Sequence, residues 1–76
     1  MVQAFIMVKT APGESAQLQD RISGMEAVTE AHVVAGGYDI IVEADGPEVY
    51  DVIRTVATDI RELDGVVDTR TYICLE

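Results

Sequence analysis

The chain has 76 residues, a single cysteine, a single histidine, and a net charge of −9 from 14 acidic and five basic residues. This length allows one small domain, with no intrachain disulfide and no Cys/His cluster of zinc spacing. The charge argues against direct DNA or RNA binding, because a nucleic-acid surface needs clustered Lys and Arg to displace phosphate counterions.

A domain of this size buries only about 60% of its unfolded surface. Such a core seldom supplies more than about 3–5 kcal/mol, so small folds usually add a staple or a partner subunit. With no disulfide or metal expected, and 49% apolar residues, oligomerisation is the expected solution. No basic, apolar leader opens the chain, and a cytoplasmic protein without a membrane anchor is expected. The lone lysine, Lys9, among many acids is also what a salt-adapted surface looks like.

Gln3 to Thr10 reads as the first strand. Ala4, Ile6 and Val8 fall on one parity and Phe5 and Met7 on the other, so both faces are apolar. "APGE" marks a turn. Ser15 to about Met25 is the first helix, with Leu18, Ile22 and Met25 on one face and Gly24 near its end. Val28 to Ala35 and Tyr38 to Ala44 are the next two strands. Gly36-Gly37 between them suits a two-residue turn needing positive φ. "ADGPE" opens the second helix, with Pro47 in its first turn and Asp45 or Gly46 as cap. Val49, Val52, Ile53, Val56, Ile60 and Leu63 form its apolar stripe, and Asp64-Gly65 stops it. Val66 to Leu75 is the last strand.

The order β-α-β-β-α-β with right-handed crossovers places the first and third strands centrally. The expected fold is α+β and ferredoxin-like: a four-stranded antiparallel sheet with two helices on one face. A two-residue turn would pair Ala35 with Tyr38, Val33 with Ile40 and Ala31 with Val42. Since side chains alternate, all six would lie on one apolar face beneath the helices. The other face would carry Val34, His32 and Glu30 beside Asp39, Ile41 and Glu43, with Phe5 and Met7 adding to it. An apolar sheet face left open to water is a partner surface.

The stretches "AGGYDIIVEA" and "LDGVVDTRTYICL", in this element order, resemble the ligand-sensing RAM domain of the leucine-responsive/AsnC family of transcriptional regulators. The likeness covers essentially the whole chain and rests on Gly36, Tyr38, Asp39, Gly65, Val66, Thr69 and Thr71. Gly37 departs from the polar residue usual in the family. The resemblance implies a single RAM domain over residues 1–76, without the helix-turn-helix domain of full-length members. It further implies dimers that pair through their sheets and assemble into rings, with an amino acid effector bound at Gly36, Gly37, Tyr38, Asp39, Thr69 and Thr71.

Taken from the residues alone, each of these has a plainer role. The glycines suit a turn, Asp39 suits a hydrogen bond to turn backbone, Thr69 and Thr71 suit any strand, and Tyr38 suits packing. His32 lacks a nucleophile partner and reads as a tolerated interface residue. Cys74 reads as a small apolar strand residue. Lys9 and Arg70 have no acid partner that the sequence specifies. The expected function is effector binding and oligomerisation that modulate regulators of amino acid metabolism, through mixed assembly with a full-length leucine-responsive/AsnC regulator. Neither catalysis nor a cofactor is expected. The alternative is a small dimeric ferredoxin-like barrel enzyme of the monooxygenase or isomerase type, for which only His32 and the acids offer proton-handling groups. Amino-acid-binding ACT domains are a neighbour in role, with their glycine after the first strand.

Overall fold

A computed structural model describes residues 1–75, apart from the side chains of residues 55–57. The elements run β1 (Val2–Thr10), α1 (Ser15–Ser23), β2 (Val28–Val33), β3 (Ile40–Gly46), α2 (Val49–Arg61) and β4 (Val66–Ile73). The strands form one antiparallel sheet in the order β2-β3-β1-β4, so β1 and β3 are central as expected.

One face of the sheet is the core. Ala4, Ile6 and Val8 of β1 and Ile40, Val42 and Ala44 of β3 are buried beneath Leu18 and Ile22 of α1 and Val52 and Ile60 of α2. This is the even parity of each central strand, placed on one side by the pleat. The odd parity of β1, Phe5 and Met7, is half-buried on the uncovered face.

Two glycines meet a positive-φ requirement, and neither lies in the β2–β3 connection. Gly13 (φ 81°) turns the chain into α1, and Gly65 (φ 97°) turns it from α2 into β4. The Gly65 carbonyl accepts the Ala11 N–H at 2.7 Å. A Cβ at Gly65 would lie 3.2 Å from Leu18 Cδ1, so this turn also lets the two helix-bearing connections close on one another.

Several boundaries differ from expectation. Helix α1 stops at Ser23, and Gly24 caps it in a right-handed conformation, its N–H donating to the Arg21 carbonyl while the Met25 N–H donates to that of Ile22. Helix α2 begins at Val49 after an extended Glu48 cap, so Pro47 precedes the helix and neither Asp45 nor Gly46 caps it. Its stripe is narrower than the periodicity suggests: Val52 and Ile60 are buried, but Val49 and Ile53 are 43% and 42% exposed. Val56 lies outside the described side chains. Strand β4 ends at Ile73, although the Cys74 N–H still donates to the Gln3 carbonyl at 2.9 Å.

Candidate functional site

The connection between β2 and β3 is wider than a two-residue turn. Val33 pairs with Ile40 and Ala31 with Val42 as expected. The last link is the Val34 N–H donating to the Asp39 carbonyl at 2.8 Å, leaving residues 35–38 as a four-residue loop. Neither Gly36 nor Gly37 has positive φ, and a Cβ on either would meet no described atom within 4 Å. The fold of one chain therefore does not demand glycine at these positions.

The opened loop also ends the alternation from which the faces were inferred. Ala31 is buried, but Val33 is 50% exposed and Ala35 is exposed. Helix α1 reaches β2 at Ala31, where Gln19 Nε2 donates to its carbonyl at 2.8 Å. Val33 and Ala35 run beyond that contact. Tyr38, expected beneath the helices, is half-buried beside Arg70 instead. Arg70 faces Met7 across the ladder and so belongs to the uncovered face. The Tyr38 and Tyr72 hydroxyls flank its guanidinium and raise its pKa further.

Asp39 is held from β1. Its Oδ2 accepts the Thr10 N–H at 2.8 Å and the Thr10 hydroxyl at 3.2 Å, while its own N–H donates to the Val8 carbonyl at 2.9 Å. Thr10 is the buried polar residue of the core region. A β-bulge between Lys9 and Thr10 shifts the β1–β4 register there, and the Asp39 carboxylate takes the Thr10 N–H. Asp39 Oδ1 has no hydrogen bond among the described residues.

The remaining expected site residues lie across the sheet. Thr69 pairs with Val8 and Thr71 with Ile6, so both belong to the helix-side parity of the edge strand β4, and β1 separates them from β3. Within one chain the structure joins Gly36, Gly37, Tyr38 and Asp39 in one loop and leaves the threonines apart. A cavity of about 410 Å³ lies at the far end of β3, lined by Glu26, Asp45, Pro47, Asp51 and Val52 among others, and includes none of the six.

The uncovered face has its own polar arrangement. Glu30 lies directly opposite Glu43 in the β2–β3 ladder. The neighbouring Glu30 carboxyl raises the pKa of Glu43, with desolvation and like-charge repulsion adding and His32 opposing. His32 Nε2 is 3.7 Å from Glu30 Oε1, and Gln3 Nε2 donates to Glu43 Oε1 at 3.1 Å.

A family profile described as the Lrp/AsnC ligand-binding domain matches residues 3–76. The chain belongs to this family. The leucine-responsive regulatory protein of Haemophilus influenzae is 27% identical over 70 residues, covering 92% of this chain and 42% of that protein. This Lrp/AsnC domain thus spans less than half the length of the curated relatives it matches. A hypothetical protein from Pyrococcus horikoshii has a solved structure with a TM-score of 0.91 and 33% identity, covering 100% of this chain and 92% of that one. A transcriptional regulator from Neisseria meningitidis, solved as a complex with L-Met, shares the fold with a TM-score of 0.81 at 21% identity, covering 99% of this chain and 50% of that one.

The relatives are transcriptional regulators, and the barrel-enzyme alternative finds no support in them. His32, the residue on which that alternative leaned most, has a side chain 62% exposed on the edge strand β2. Among the described residues, no helix is long and apolar enough to cross a membrane.

Proposed function

We propose that this Lrp/AsnC domain binds a free amino acid at the Gly36–Asp39 loop, associates with copies of itself through the uncovered sheet face, and so modulates a DNA-binding regulator of the same family. The observation that carries the site is the loop: two glycines occupy positions where the fold of one chain accepts any side chain. Close approach of a ligand to the main chain supplies a reason for glycine there. Backbone N–H groups at Gly36 and Gly37 take the carboxylate. Asp39, with Oδ2 anchored on Thr10, offers Oδ1 to the ammonium group. Thr69 and Thr71 contribute hydroxyls from a neighbouring copy. The loop is exposed in one chain and becomes a cleft when another copy covers it. The L-Met complex of the Neisseria regulator, which shares this fold, supports an amino acid as the ligand class.

Titration calorimetry of the chain against the twenty amino acids tests this reading. Binding of at least one amino acid at millimolar concentration or below is expected. Absence of binding by all twenty would overturn the site.

A further inference from the structure

One cation stands beside the proposed ligand loop. Arg70 lies opposite Met7 and Tyr72 opposite Phe5 across the β1–β4 ladder, so both side chains belong to the uncovered face. Tyr38 reaches the same guanidinium from the loop, and the Tyr38 and Tyr72 hydroxyls flank it. Among the described residues, no carboxylate comes within salt-bridge distance of Arg70. The acids Glu30 and Glu43 share that face, but Phe5 and Met7 of β1 stand between them and β4. Lys9, one row nearer the loop, faces Asp68 across the ladder, whereas Arg70 faces an apolar residue.

The three side chains present hydrogen-bond donors to an anion. A guanidinium carries its N–H donors in a planar fork that matches a carboxylate, and a phenol carries one donor beside its acceptor lone pairs. Where a phenol oxygen accepts from Arg70, its own O–H is left to donate outward. The cluster is therefore suited to a carboxylate, and a charge-assisted contact there is stronger than a neutral one. It also lies one tyrosine side chain from the loop main chain, because Tyr38 belongs to the loop and reaches Arg70. An α-amino acid held at Gly36–Asp39 has its α-carboxylate and ammonium engaged by the loop. What it extends along the Tyr38 ring toward Arg70 is its side chain. In a chain of net charge −9, an anionic side chain is repelled by the overall field and accepted where a base stands clear of acids. Arg70 thus decides between an acidic amino acid and its neutral isostere.

We propose that Arg70, flanked by Tyr38 and Tyr72, seats the side-chain carboxylate of the bound amino acid, and that the effector is an acidic amino acid, glutamate or aspartate. The inference rests on the amino acid site at Gly36–Asp39 and names its ligand class. Glutamine and asparagine keep the shape of these ligands and lose the charge. A site arranged for the carboxylate discriminates against them, because they leave the guanidinium without its anion.

Titration calorimetry with glutamate, glutamine, aspartate and asparagine tests it. The parent is expected to bind at least one of the acids about tenfold or more tightly than its amide. Arg70→Gln is expected to bring that ratio near one. Tyr38→Phe, which keeps the ring and removes the hydroxyl, is expected to lower it in the same direction. A general loss of folding or assembly weakens acid and amide together and leaves their ratio unchanged, so the ratio isolates the carboxylate contact. A parent that binds each acid no more tightly than its amide, or a ratio that neither substitution lowers, would overturn the assignment of Arg70 and leave the loop site standing. Absence of binding by all twenty amino acids would instead overturn the loop site, and this ligand class with it.

Discussion

Asp39 has one carboxylate oxygen in a structural contact and the other in the proposed site. Oδ2 closes the end of β1 through the Thr10 N–H and hydroxyl, while Oδ1 is the proposed contact for the ligand. Asp39→Asn keeps a carbonyl oxygen for Thr10 but loses the charge. Its stability in urea is expected to change by less than about 1 kcal/mol, while amino acid affinity falls about tenfold or more by calorimetry. Asp39→Ala removes both contacts and is expected to cost about 1.5–3 kcal/mol as well. Equal ligand binding by parent and Asn variant would reduce Asp39 to its structural task. Gly37→Ser makes the complementary test, because nothing described crowds the position and φ is not positive there. Its melting behaviour is expected to stay within about 0.5 kcal/mol of the parent while its amino acid preference changes. At this scale the sequence marks Asp39 as a polar residue in a turn. Its partner Thr10 is 29 positions away, and no local pattern relates the two.

Among the connections, the turn at Gly65 is the one the sequence describes most fully. Asp64-Gly65 reads as a helix stop, and Gly65 takes φ 97°. The requirement is doubled by Leu18 Cδ1, 3.2 Å from where a Cβ would sit. Gly65→Ala is therefore expected to destabilise the fold by about 1–2 kcal/mol from backbone strain alone, with Leu18 crowding added, as chemical denaturation would show. A loss of less than 0.5 kcal/mol would contradict this account. The Gly36-Gly37 connection looks equally turn-like in sequence, yet opens to four residues. Composition favours a turn at both sites, but the contacts around each differ. Ala11 and Leu18 press on Gly65, while the loop at 35–38 projects past α1. The same geometry limits α2: its periodicity nominates Val49 and Ile53, but the sheet beneath it buries Val52 and Ile60.

For the whole molecule, the excess of acids governs behaviour in solution. Carboxylates repel one another over a Debye length of about 8 Å at physiological ionic strength, and added salt shortens it. The melting temperature is expected to rise from low to molar potassium chloride, and a flat or falling curve would show that repulsion does not limit stability. The same charge of −9 predicts that the 76-residue chain does not retain a DNA duplex in a mobility-shift experiment at low salt. Salt-sensitive retention would refute that.

The sequence by itself determined the element order, the central place of β1 and β3, and the parity that forms the core. These follow from local periodicity and the handedness of crossovers, which act within one element or one connection. It also carried the family likeness, because the residues of the Gly36–Asp39 and Gly65–Thr71 stretches are contiguous. Only the tertiary structure decided how wide the β2–β3 loop opens, that Asp39 is tied to Thr10, that Tyr38 leaves the helix side to lie by Arg70, and that Thr69 and Thr71 belong to the opposite side of the sheet from Arg70. Each of these depends on which residues the β1–β3 and β1–β4 registers bring opposite one another, and on where the helices stop covering the sheet. Such pairings join positions tens of residues apart, beyond the reach of any local pattern.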